Sequence, residues 1–382
     1  MDLVHMHIPA VVHLGAGVHE KVGECAAKIG ERVLLVSEPT MKEAGWVEKL
    51  QEVLESAGMN CLVYDEIPSE NPSENLQEAV QLAKAGKVQV IVALGGVRVS
   101  MAARVVSLAA ASSCSISAMA SEELPPKKAL PCIEIPTSFR NPLLFAAKTY
   151  LGEPSTRIPL WFDLPTDFLR CVLVDPVLTQ TLPAKYGAAL LMDAVLCGLE
   201  GYISEGAGCL GRPLLRDGIS ACSDAVLGVY NAPEEIRPRQ KACEGGLLVS
   251  LGLAFGRQGI GGALVYVMSS LYGVPKSWLA SVLSPHIAEY WIPIVPQRMA
   301  EVAGAMGVDI ASLSATEAAR QVPQVLRRMI GQLEAPGRLR DLDISLAQVM
   351  DAVEIVMEMD MIRSAPRFPQ ESEIVEIIKR AF

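Results

Sequence analysis

Hydrophobic residues in the first half of the chain fall into short continuous runs separated by stretches with helical spacing. Arg32–Ser37 (RVLLVS) is an apolar, β-branched run, and Val47–Ala57 behind it repeats apolar residues at helical intervals, which predicts a strand and then a helix. Cys61–Tyr64, Leu76–Ala85 and Val88–Leu94 (VQVIVAL) continue the alternation as strand, helix and strand. The third strand ends in Gly95–Gly96 and opens a third helix. Asn71–Pro72–Ser73 fits a turn that makes Ser73 an N-cap, with Glu74 in the first helical turn. Further strands are expected at Cys132–Pro136 and Cys171–Val174. Continuous apolar strands alternating with helices indicate a parallel sheet covered on both faces.

Past Leu182–Pro183 the pattern changes to helical periodicity. Helices are expected over Tyr186–Ser204, Leu215–Tyr230, Cys243–Phe255, Ile294–Met306, Glu317–Leu333, Leu346–Met357 and Glu373–Ala381. The chain therefore divides into an α/β, Rossmann-like, nucleotide-binding-type domain over 1–183 and an all-helical domain over 184–382, with a cleft expected between them.

Composition supports that reading. With 382 residues, 51% hydrophobic and 20% charged, the chain can bury two cores. A net charge of −10 leaves no basic surface for nucleic acid or an anionic membrane, so small molecules or proteins are the expected partners. Val105–Ser121 and Gly259–Pro275 are uncharged but short or glycine-broken, and read as buried elements rather than membrane spans. Nine cysteines (25, 61, 114, 132, 171, 197, 209, 222 and 243) form an odd, scattered set without a CxxC pair, and the N-terminus has no signal-peptide pattern. A reduced, cytoplasmic protein with mostly buried thiols is expected. Of five histidines, four (His5, His7, His13, His19) precede residue 20, which argues against a histidine-rich metal centre deep in the chain. His5 and His7 share one face of a possible strand as an N-terminal metal candidate.

Seven segments appear in an order that resembles the iron-containing (group III) alcohol dehydrogenase family, whose fold is shared with dehydroquinate synthase and glycerol dehydrogenase. They are HIPAVVHLGAGVHEKVGE (His7–Glu24), IVALGG (Ile91–Gly96), IEIPTS (Ile133–Ser138), LVDPVLTQTLP (Leu173–Pro183), MDAVLCGLEGYIS (Met192–Ser204), LYGVPKSWLASVLSPHI (Leu271–Ile287) and APR (Ala365–Arg367). The resemblance covers nearly the whole chain. It implies a phosphate loop in the first domain, a catalytic metal held by one Asp and three His in the second, and assembly into dimers or larger homo-oligomers.

At both implied sites the residues depart from the family pattern. The phosphate loop keeps Gly95 and Gly96, but Val97 replaces the third glycine, Arg98 the serine and Met101 the aspartate, while Arg104 keeps the charge of a lysine. Val97 puts a branched side chain where backbone amides should approach a pyrophosphate closely. Arg98 leaves phosphate binding weakened rather than abolished. In the family's second cofactor-binding turn only Thr137 and Ser138 remain, and Phe139, Arg140, Asn141, Pro142, Leu143 and Leu144 follow. Glu38 sits where the family often has an Asp facing the adenosine ribose, although an exposed loop carboxylate is the simpler reading.

The four metal-ligand positions match Asp193, Cys197, Gly262 and Lys276, and Tyr266 falls where relatives carry a further histidine. A charged lysine donates hydrogen bonds but cannot ligate a metal, so it replaces the ion's charge rather than its coordination. Lys276 is expected to pair with Asp193, with Tyr266 within hydrogen-bonding reach, and Trp278, Leu143 and Leu144 to fill the cleft. Cys197 is a nucleophile only if its pKa is lowered. Glu200 and His286, a family Pro-His position placed just after that helix, read as structural.

Three functions compete at this point. The first is an inactive or repurposed paralogue with a binding or assembly role, no cofactor, no iron or zinc, and a protein partner. The second is an NAD(P)-dependent alcohol or aldehyde oxidoreductase in which Lys276 or Tyr266 acts without a metal. The third is a metal-independent lyase using Lys276 as an amine nucleophile.

Overall fold

A computed structural model describes residues 8, 10–67, 76–112, 116, 119, 128–152 and 159–382. His5, His7, the Asn71–Pro72–Ser73 turn with Glu74, and Cys114 lie outside the described residues. The chain forms two compact units. One runs up to Ser138 and resumes over Phe145–Thr181; the other joins Phe139–Leu144 to Leu182–Phe382.

The first unit is built on a six-stranded parallel sheet in the order β1-β8-β5-β4-β2-β3. Its strands are β1 (Val11–Leu14), β2 (Arg32–Val36), β3 (Asn60–Tyr64), β4 (Val90–Gly95), β5 (Cys132–Pro136) and β8 (Leu169–Val174). Helices α1 (Val22–Ala27), α2 (Pro39–Glu43), α3 (Trp46–Ser56), α4 (Leu76–Ala85) and α5 (Val97–Ala110) connect them. Because strand side chains alternate faces, Val33 and Leu35 of β2 and Val90, Val92 and Leu94 of β4 share one core with Val22, Leu50 and Leu54 of α1 and α3. α5 packs on β4 and β5, and α4 on α5.

An antiparallel hairpin, β6 (Lys148–Gly152) and β7 (Pro159–Asp163), was not visible in the hydrophobic pattern. It is fastened to α5 by Arg104, whose Nη1 donates to the carbonyls of Ala146 (3.2 Å) and Lys148 (2.9 Å). Thr149 Oγ1 also donates to the Met101 carbonyl at 2.9 Å.

The second unit is helical: α6 (Ala184–Ile203), α7 (Gly208–Asn231), α8 (Ile236–Gly252), α9 (Ile260–Tyr272), α10 (Lys276–Trp291), α11 (Pro296–Ala305), α12 (Ala315–Ala319), α13 (Gln321–Gln332), α14 (Leu346–Glu358) and α15 (Glu371–Ala381). α6 is largely apolar, its charged residues being Lys185, Asp193 and Glu200, and every residue from Gly187 to Ile203 is buried. It is long and apolar enough to cross a membrane, but 94% of its most apolar window is buried inside the protein. The single helix expected over Glu317–Leu333 is two, because Pro323 has no N–H to give to Ala319 and so ends the first. The Ser314–Glu317 capping box begins it. His286, expected after its helix, lies inside α10 next to Pro285.

Candidate functional site

Asp193 and Cys197 stand four residues apart on α6 and so face the same direction from consecutive turns. Asp193 is 1% exposed, and its Oδ2 lies 2.8 Å from Nε of Arg140, itself 3% exposed. This corrects the sequence expectation: the ion pair assigned to Lys276 is made by Arg140. The reason is where the preceding segment docks. Ser250 Oγ on α8 donates to the Asn141 carbonyl at 2.8 Å. Gly246, one turn earlier, lets Phe139 come so close that a Cβ at 246 would sit 1.8 Å from the Phe139 carbonyl oxygen. Held there, Arg140 reaches α6, and a weakly hydrated guanidinium suits a buried carboxylate better than an ammonium does.

Lys276 is the first residue of α10 and is half-buried. Its Nζ lies 5.8 Å from the ring centroid of Tyr266, and Arg140 Cζ lies 5.5 Å from the same ring. Tyr266 is 1% exposed. Asp193, Arg140, Tyr266 and Lys276 therefore form one cluster within the helical unit, in which one aromatic ring has two cations near it.

Cys197 donates its thiol to Asp193 Oδ1 (3.4 Å) and accepts from Gln258 Nε2 (3.0 Å). Burial first, and then the charge of Asp193, push this thiol well above its ordinary pKa. It is not the lowered thiol that a nucleophile requires. Gln258 also fills the space in front of Gly262, where a Cβ would lie 2.7 Å from the Gln258 Cβ and 2.8 Å from its Nε2. Glu200, one turn beyond Cys197, accepts from the backbone N–H groups of Gly259 (2.9 Å), Gly261 (2.7 Å) and Gly262 (2.8 Å) and so caps α9. Burial raises its pKa although these three bonds act in the opposite direction.

At the four positions that correspond to the ligands, the carboxylate already carries a guanidinium, the second is a thiol whose pKa burial raises, the third has no side chain and Gln258 in front of it, and the fourth is a lysine.

The phosphate loop shows a parallel arrangement. Gly96, at the start of α5, donates its N–H to Glu38 Oε1 at 3.3 Å, and Arg98 Nη2 pairs with Glu38 Oε2 at 3.5 Å. The Glu38 side chain is only 14% exposed, so it is not the exposed loop carboxylate expected from the sequence. A helix N-terminus attracts anions, and here the protein's own carboxylate takes that place. Thr137 is buried and Ser138 half-buried beside the loop; an added Cβ at Gly96 would be 3.9 Å from Ser138 Oγ. Gly95 is closed by Val99, 2.5 Å from where a Cβ would stand. Arg104, which carries a lysine's charge in the sequence comparison, is fully buried and gives Nε to Glu134 Oε1 at 2.7 Å.

Arg140 and Gln258 are the functional residues that sequence reasoning missed in role. In the sequence Arg140 stands only as one of the residues that depart from the family's second cofactor-binding turn, and Gln258 precedes α9 without belonging to any motif. Their signal was chemical: a lost cation at the Asp193 position calls for another cation, and a glycine at a ligand position calls for a filler.

The sequence signature described as iron-containing alcohol dehydrogenase matches residues 9–140, and that of the Fe-containing alcohol dehydrogenase family C-terminal region matches residues 188–382. The 1,3-propanediol dehydrogenase of Citrobacter freundii is 25% identical over 384 residues, covering 98% of each chain. The NAD-dependent methanol dehydrogenase of Bacillus methanolicus is 20% identical, over 99% of this chain and 100% of the relative. Among solved structures, a 1,3-propanediol oxidoreductase superposes with a TM-score of 0.93 at 22% identity over all of both chains. The NADH-dependent butanol dehydrogenase A of Thermotoga maritima superposes at 0.87 and 19% identity, over 100% of this chain and 99% of that one.

Proposed function

Since the chain belongs to the iron-containing alcohol dehydrogenase family, we propose that it is a member whose metal and phosphate sites are filled by its own side chains and whose role is binding or assembly, as a homodimer with a protein partner. The observation that carries this reading is Arg140 on Asp193, a fixed monovalent cation 2.8 Å from the one ligand the site keeps. Glu38 on the Gly96 amide supports it at the other site. Neither iron nor zinc binds through Asp193, and NAD or NADP gains no phosphate contact at α5.

Calorimetric titration with NAD and NADP, with and without added Fe²⁺ or Zn²⁺, tests the proposal. No saturable binding is expected. Micromolar binding of either nucleotide, or stoichiometric metal that is lost on Asp193→Asn, overturns it.

A second reading rests on the juxtaposition of Lys276 and Tyr266. In a metal-free oxidoreductase of alcohols or aldehydes, either group would polarise a carbonyl oxygen, and NAD(P), if bound, would supply the hydride chemistry. Aldehyde-dependent oxidation of NADH or NADPH that resists chelators and disappears in Lys276→Met supports this second reading over the first.

A further inference from the structure

A different cluster lies in the first unit. His13 is on β1, Cys171 on β8 and Cys25 on α1, and their ligand atoms all lie within 4.8 Å of one another. The fold brings them together in two steps. β1 and β8 are parallel neighbours with Val11 opposite Cys171 and His13 opposite Leu173, so strand alternation puts His13 and Cys171 on one face of the sheet. α1 lies over that face, and Cys25 shares a core cluster with Cys171, Ile133 and Leu173. The two sulfurs are 3.0 Å apart. His13 is half-buried and Cys25 is 9% exposed, so the group sits under an apolar wall with an edge open to water.

We propose that Cys25, Cys171 and His13 form a site for a thiophilic divalent cation of the Zn²⁺ type, separate from the family's metal position. Two thiolates and an imidazole are donors that select such an ion, and three protein ligands with a water in the fourth position is an ordinary zinc arrangement. Bonds of about 2.3 Å at a tetrahedral angle place two sulfurs ~3.7 Å apart, so Cys25 and Cys171 separate by under ~1 Å to take the ion. Both thiols must ionise, and each cation bound releases two protons. The two thiolates then neutralise the ion's charge, which suits the apolar setting.

The test uses the full chain, chelator-stripped and kept reduced with a phosphine, titrated with Co²⁺, Cd²⁺ and Zn²⁺. One equivalent is expected, with thiolate-to-metal charge-transfer absorption for Co²⁺ and Cd²⁺ and release of two protons. Cys25→Ser and Cys171→Ser each weaken binding at least about a hundredfold, and His13→Asn, at a half-exposed position that folding tolerates, weakens it by about tenfold or more. Asp193→Asn leaves it unchanged. The proposal is overturned if no charge-transfer band appears at saturating Co²⁺, if the band survives Cys25→Ser and Cys171→Ser, or if the pair closes only into a disulfide in air while the reduced protein binds nothing. Metal that persists in the cysteine variants and vanishes in Asp193→Asn is a separate result, which overturns the proposed function instead.

Discussion

Replacing Arg140 with alanine strips a carboxylate that is 1% exposed of its cation. Removing one partner from a buried ion pair costs about 3–5 kcal/mol, because the remaining charge stays desolvated without compensation. The Tyr266 ring loses one of its two neighbouring cations as well, worth roughly 0.5–2 kcal/mol. For a helical unit of this size, about 2–4 °C of melting temperature accompanies each kcal/mol, so Arg140→Ala is expected to melt roughly 7–28 °C lower. The assay is thermal and urea unfolding followed by circular dichroism, run as a double-mutant cycle of Arg140→Met with Asp193→Asn. If the two charges compensate each other, the double variant recovers most of the loss, and the cycle gives a coupling of at least ~2 kcal/mol. A loss below about 1 kcal/mol for Arg140→Ala, or additive costs in the cycle, refutes the assignment of Arg140 as the charge that replaces a metal.

Three further expectations follow from the same geometry. Glu38→Gln removes the internal anion from the Gly96 amide; stability changes by under about 1 kcal/mol because Arg98 is 42% exposed, while pyrophosphate binding becomes measurable by calorimetry, and no gain refutes self-occupation of the loop. Gly246→Ala forces a Cβ to within 1.8 Å of the Phe139 carbonyl oxygen and is expected to cost roughly 3 kcal/mol or more in urea unfolding, whereas a near-neutral result contradicts the docking of Phe139–Leu144 on α8. At about pH 8, iodoacetamide should label the exposed Cys209 and leave Cys197 intact until the protein unfolds; equal labelling by mass spectrometry contradicts the raised pKa and burial of Cys197.

The parallel sheet was legible because its strands are continuous apolar runs and its helices alternate with them; β2, β3, β4 and β5 fall within a residue or two of their expected positions. The β6–β7 hairpin was not, since Lys148–Gly152 and Pro159–Asp163 mix polar, aromatic and proline residues, and their anchor is Arg104 from a distant helix. At the candidate site the sequence identified Asp193, Cys197, Gly262 and Lys276 and the chemistry missing from them, but not which cation answers Asp193. That choice depends on Phe139–Leu144 docking on Gly246 and Ser250, a contact between segments far apart in the chain that no local periodicity records. Glu38 illustrates the same limit: its role comes from the strand order that puts the end of β2 beside β4, not from its own surroundings in sequence.

The six residues Phe139–Leu144 belong to the helical unit although they interrupt the α/β segment. Modularity is thereby lost at this boundary. A fragment beginning at Leu182 carries Asp193 but not Arg140, and its α8 meets solvent where Phe139 should lie. Expressed alone it is an incomplete body with an uncompensated interior charge, so recombining this helical half with the α/β half of a relative would transplant the carboxylate and leave its counter-charge behind.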